Sequence, residues 1–133
     1  MKGYSATVIE ASRELTAREK VKYKDTSDCV KLDEALSGEQ GNYLVITPVM
    51  FVIVEVNNEK SEQKTYSQYI IEDEDGTKYI TGSDSFFDTF SDIWSDMTDE
   101  EGNSIDGEPW QLKIFKKDSK NYEGKQFITC SLA

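Results

Sequence analysis

Two alternating runs near the end of the chain, joined by a polar turn, constrain its fold more than any other stretch. Read with period two, Trp110, Leu112 and Ile114 fall on one face, and Gln111, Lys113, Phe115 and Lys117 on the other. After the turn at residues 118–124, Ile128, Cys130 and Leu132 alternate with Phe127, Thr129 and Ser131. Folding the runs about Asn121 predicts Ile114 opposite Ile128 and Phe115 opposite Phe127, with the apolar sets sharing a buried face. The outer face then carries Phe115 and Phe127 among Lys113, Lys117 and Lys125. Aromatics interleaved with lysines on an open sheet suit a single nucleic-acid strand, because rings stack on bases while cations track phosphates. The alternative is an ordinary hairpin whose outer phenylalanines pack under another element.

At 133 residues, the chain is expected to be a single domain, 1–133, with a real core. Its longest apolar run, residues 43–54, is too short to span a bilayer and is interrupted at Thr47-Pro48. Met1-Lys2-Gly3-Tyr4 leads directly into a strand pattern, which predicts no secretory signal and a cytoplasmic location. Cys29 and Cys130 lie far apart without metal-ligand spacing and read as reduced thiols. With no histidine, an ordinary zinc site and His-dependent nucleophilic triads are both excluded. The acidic turns at 72–76 and 99–108 do not fit a calcium loop. Ile71 stands where the first ligand of the earlier one belongs, and the later one lacks a spaced Asp/Asn ladder. No glycine-rich phosphate cradle or Ser/Lys nucleophile motif is present. The expectation is a non-enzymatic protein without cofactor or metal.

The net charge of −11 argues against a protein that coats duplex DNA by bulk electrostatics. The charge is segregated, however. Residues 79–112 hold nine acids and no base, residues 110–133 hold five lysines against two acids, and residues 13–31 hold six bases against four acids. Such a pattern suits a basic groove on an acidic body.

Elsewhere, residues 3–9 read as a strand with Tyr4, Ala6 and Val8 on one face. Thr16 and Glu19 have capping-box spacing, yet residues 20–24 alternate like a strand, and the strand is favoured. A turn at 25–28, a short return strand at 29–32 and a loop at 33–42 follow. Residues 43–47 and 49–56 are β-rich runs broken at Pro48, which predicts a bulge or an edge position. Residues 57–64 read as a polar connection. Residues 66–72 and 77–81 flank Asp73-Glu-Asp-Gly76, a hairpin signal in which glycine supplies the positive φ. Phe86, Phe87, Phe90, Ile93, Trp94 and Met97 form one wide apolar helical face, with Ser85 as the expected N-cap and Asp88 at N3. Asp88, Asp92 and Asp96 make an acidic stripe opposite, read as a solvated face.

Mostly β structure with one main helix before the last two strands is the arrangement of an OB-fold-like small β-barrel. The loops flanking the ligand groove of such a barrel would be residues 118–124, with Lys120 and Tyr122, and the Lys20, Lys22, Tyr23 and Lys24 region. Both basic clusters are then expected to border one groove.

Four runs carry a resemblance: Tyr69-Ile-Ile-Glu-Asp-Glu-Asp-Gly-Thr-Lys-Tyr79, Ser83-Asp-Ser-Phe-Phe-Asp-Thr-Phe90, Trp110-Gln-Leu-Lys-Ile-Phe115 and Ser119-Lys-Asn-Tyr-Glu-Gly-Lys-Gln-Phe127. In this order they resemble the small bacteriophage single-stranded-DNA-binding proteins. Those end in an acidic-Gly hairpin, an amphipathic helix and a closing hairpin whose turn contains Ser-Lys and Gly. The resemblance covers residues 66–133 and rests on element order and short runs. It implies a non-catalytic protein that binds single-stranded DNA, with RNA as the other candidate strand, in the host cytoplasm during replication or recombination. Replication or recombination proteins are the implied partners, no membrane is involved, and homo-oligomerisation stays open. With Cys130-Ser-Leu-Ala133 as its ending, the chain is expected to depart from bacterial single-strand-binding proteins in lacking their disordered acidic C-terminal tail. The competing expectation, from a different class, is an acidic DNA mimic that inhibits a host defence nuclease of the anti-CRISPR or anti-restriction type. The carboxylates of residues 79–112 would stand in for phosphates.

Overall fold

A computed structural model of the chain describes residues 4–36, 43–58, 65–118 and 126–133. Among these residues, eight strands and three helices run β1 (Tyr4–Ala11), α1 (Ala17–Lys24), β2 (Val30–Lys31), α2 (Leu32–Ala35), β3 (Tyr43–Ile46), β4 (Pro48–Asn58), β5 (Thr65–Asp73), β6 (Lys78–Thr81), α3 (Asp84–Met97), β7 (Leu112–Asp118) and β8 (Gln126–Leu132). The protein is thus mostly β, with one main helix before the last two strands. The strands form a five-stranded sheet in the order β1-β4-β5-β6-β2 and a three-stranded sheet in the order β3-β7-β8. Among the described residues the sheets do not close into a barrel, and the final hairpin pairs with β3 instead of joining the larger sheet.

The centre of β4 explains the layering. Met50, Val52, Val54 and Val56 bury one face of the large sheet, joined by Ile70, Ile80 and Tyr23 of α1. Phe51 and Ile53 point the other way, with Tyr69, Ile71 and Tyr79. A strand covered on both faces requires an unbroken apolar run, which residues 50–54 supply. Pro48 opens the strand, and a register shift lies between Pro48 and Met50, where the proline predicts a bulge. At the β5–β6 turn, Gly76 has φ +90°, as the acidic-Gly signal predicts.

Helix α3 packs against both sheets. Phe86 and Phe90 are fully buried. The Phe51 ring meets Phe87, Phe90 and Trp94 edge-on at centroid distances of 5.4, 5.9 and 5.5 Å. Tyr69 stacks on Phe87 at 4.3 Å, and Trp94 meets Trp110 at 6.1 Å. Leu112, Ile114, Ile128 and Cys130 of the small sheet complete this core. Each large apolar side chain withdrawn from water contributes roughly 1.5–3 kcal/mol. The helix starts two residues earlier than expected. Ser83, not Ser85, is the N-cap, and its hydroxyl accepts a hydrogen bond from the Phe86 amide at 3.2 Å.

Residues 20–24, expected as a strand, lie in α1. The capping box decides it: Thr16 Oγ1 accepts from the Glu19 amide at 3.2 Å, and the Glu19 carboxylate accepts from the Thr16 amide at 3.1 Å. Arg13 adds an ion pair to Glu19, and Lys22 and Lys24 sit in the last turn, where cations suit the helix dipole. The return strand of 29–32 shrinks to β2, which runs parallel to β6, and α2 forms where the 33–42 loop was expected to begin. Among the described residues, no helix is long and apolar enough to cross a membrane.

Candidate nucleic-acid interface

The small sheet has one face in the core and one open to solvent. Ile46, Leu112, Ile114, Ile128 and Cys130 point inward and are buried. Tyr43, Val45, Lys113, Phe115, Lys117, Phe127, Thr129 and Ser131 alternate with them and point outward. The ladders set these in rows: Tyr43, Phe115 and Thr129 in one, Val45, Lys113 and Ser131 in the next, and Lys117 opposite Phe127 two residues beyond Phe115. Tyr43 is 57% exposed and Phe127 40%, so these rings are not under another described element. Phe115, between them, is half-buried.

Lysine and aromatics are in contact on this face. Lys113 Nζ lies 4.7 Å from the Tyr43 ring centroid and 5.6 Å from that of Phe115. Both distances fall within the range of a cation–π contact. The ammonium is thus held over the sheet beside the rings, where it can meet a phosphate while the ring faces meet bases.

The hairpin register differs from the expected one by two residues. Ile114 lies opposite Cys130 and Phe115 opposite Thr129, while Phe127 faces Lys117. A two-residue slip leaves every side chain on its expected face, whereas a one-residue slip would have reversed them all. The surface therefore survives the correction, with Phe127 diagonal to Phe115. Lys120, Tyr122 and Lys125 lie outside the described residues.

The basic cluster on α1 does not join this face. Lys20, Lys22 and Lys24 are exposed, but their helix packs on the side of the large sheet opposite α3 and the small sheet. Tyr23 is buried: its hydroxyl donates to Glu72 at 2.8 Å and lies 3.2 Å from the Met50 sulfur. Burial, with the Glu72 hydrogen bond, raises its pKa well above the ordinary tyrosine value. Tyr23 thus anchors α1 and presents no ring to a base. Among the described residues, the aromatic-lysine sheet face and the basic helix α1 are separate, and the loop half of the expected groove, residues 119–124, lies outside them.

Tyr43 and Val45 are the members of this face that sequence reasoning missed. Their alternation with Leu44 and Ile46 is visible in the sequence, but nothing local specifies that β3 pairs with β7. The acidic block is partly engaged within the fold. Asp84 accepts from the Tyr69 hydroxyl, Asp99 from the Glu101 and Asn103 amides, and Asp106 from the Glu108 amide and the Ser104 hydroxyl. These last two carboxylates build turns, and the bonds from the Glu108 amide and the Ser104 hydroxyl lower the Asp106 pKa. Compared with protein-family models, with curated proteins and with solved structures, the chain has no match in any of the three.

Proposed function

We propose that the protein binds single-stranded nucleic acid without catalysis, as the resemblance to phage single-stranded-DNA-binding proteins implies, in DNA replication or recombination. The observation that carries this reading is the open outer face of the small sheet. There Tyr43, Phe115 and Phe127 accompany Lys113 and Lys117, and Lys113 is held against two of the rings. Exposed rings set between cations are costly as mere surface and useful as stacking platforms. The OB-type part of the reading draws on α3 standing before the closing hairpin. It places the strand on the small sheet, not between two basic loops.

The DNA-mimic reading draws on Asp88, Asp92 and Asp96, which are exposed along α3. It is weakened by the engagement of Asp84, Asp99 and Asp106 in internal hydrogen bonds, which leaves a shorter free carboxylate track.

Photo-cross-linking separates the readings by location. A single strand carrying bromouracil should cross-link to peptides containing Tyr43, Phe115 or Phe127. Cross-links confined to α1, or none above background, would contradict the proposal.

A further inference from the structure

Beside the aromatic face, the edge strand β8 borders a cleft of about 390 Å³ lined by Asp33, Thr81, Gly82, Ser83, Lys116, Phe127 and Ile128. Phe127 belongs to both surfaces, so a strand lying on the sheet meets the mouth of the cleft at that ring. Three elements build the cleft: α2 brings Asp33, the turn from β6 into α3 brings Thr81 to Ser83, and the β7–β8 ladder brings Lys116 and Ile128. The Lys116 and Ile128 positions are paired across that ladder. Asp33 and Lys116 line the same space, yet neither forms an ion pair among the described residues. A carboxylate and an ammonium that share a cleft without meeting leave room for a ligand edge presenting both a donor and an acceptor.

Resting on the single-strand reading above, we infer that this cleft is a base-selecting subsite that favours cytosine over thymine or uracil. The base stacks on Phe127, Asp33 accepts from the exocyclic amino group at its 4-position, and Lys116 donates to a ring carbonyl or the adjoining phosphate. An ionised carboxylate only accepts hydrogen bonds, so an amino group satisfies it. The 4-carbonyl of thymine turns an acceptor toward that carboxylate and leaves both without a proton between them. Sites built to bond an N–H discriminate strongly against an analogue that lacks it. Acceptance from cytosine N4 is also the established pairing for acidic side chains at base edges. Pyrimidines make the clean comparison, because the two rings are the same size and stack alike.

The test is fluorescence anisotropy with labelled oligo-dC and oligo-dT of equal length, near neutral pH and low salt. The native protein should bind oligo-dC roughly tenfold more tightly, the size expected for one well-placed base contact. Asp33 is exposed, so Asp33→Ala should leave the thermal transition in place, bring the two affinities together and not weaken oligo-dT. Asp33→Asn offers a donor as well as an acceptor and should also collapse the preference, by strengthening oligo-dT. Equal affinities in the native protein, or equal losses for both oligonucleotides in Asp33→Ala, would overturn the cleft assignment while the sheet-face reading stands. Failure of both oligonucleotides to bind the native protein would overturn both.

Discussion

At the scale of single residues, the outer rings and the inner ones should behave in opposite ways. Tyr43 and Phe127 are exposed, so truncating either to alanine should cost about 1–3 kcal/mol of single-strand affinity per lost stack and little stability. Phe115→Ala should lose similar affinity, with a small drop in melting temperature because the ring is half-buried. Anisotropy titrations paired with thermal melts check this, and a large loss of stability with unchanged binding would make these rings structural. The two thiols offer a separate check. Burial pushes Cys130 up to about 12, and Cys29, half-buried, is raised mainly by burial and by the nearby Asp28. Iodoacetamide at pH 8 should therefore leave Cys130 unmodified in the folded protein, as mass spectrometry of the native and denatured chains would show.

At the scale of elements, α3 and α1 differ in what holds them. Trp94 sits in the shared core, so Trp94→Ala should cost roughly 3–5 kcal/mol. Asp92→Asn on the exposed side should change stability by less than about 0.5 kcal/mol. Denaturant unfolding of both variants tests the assigned faces. Helix α1 buries only Tyr23 and depends on its N-terminal cap. The Arg13 hydrogen bonds and the Thr16 amide lower Glu19 from 4.5 to about 2. A depressed carboxylate stabilises above its unfolded value and loses that contribution as pH falls through the folded one. Helicity at α1 should therefore hold above about pH 4.5 and fade toward about pH 2, and Glu19→Gln should flatten that dependence. NMR shifts of residues 17–24 would follow it. This helix also marks where the sequence was readable and where it was not. Strong period signals specified α3, the β5–β6 hairpin and the faces of β7 and β8, because burial repeats with the local backbone. The cap and the alternation of residues 20–24 were both visible, and local hydrogen bonds prevailed. The partner of β3 was not visible, since strand pairing is set by which buried faces meet, and that is how Tyr43 escaped notice.

At the scale of the molecule, charge and topology act together. The −11 body repels a polyanion at long range, so binding should be weaker than for a basic protein of this size and confined to the sheet face. Lys20, Lys22 and Lys24 lie across the large sheet from that face, so replacing them with glutamine should leave the salt dependence of binding nearly unchanged. Replacing Lys113 and Lys117 should flatten it. Each neutralised phosphate on a single strand adds about −0.7 to the slope of log affinity against log salt, so these two lysines together contribute about −1.4. Duplex DNA should bind poorly, because its bases are stacked and cannot reach the rings. The most direct test is to titrate labelled oligo-dT and a duplex of equal length at two salt concentrations. Saturable oligo-dT binding that weakens with salt, with little duplex binding, is the predicted result. No oligo-dT binding at low salt, together with tight binding to a basic nuclease, would contradict the account and favour the DNA mimic.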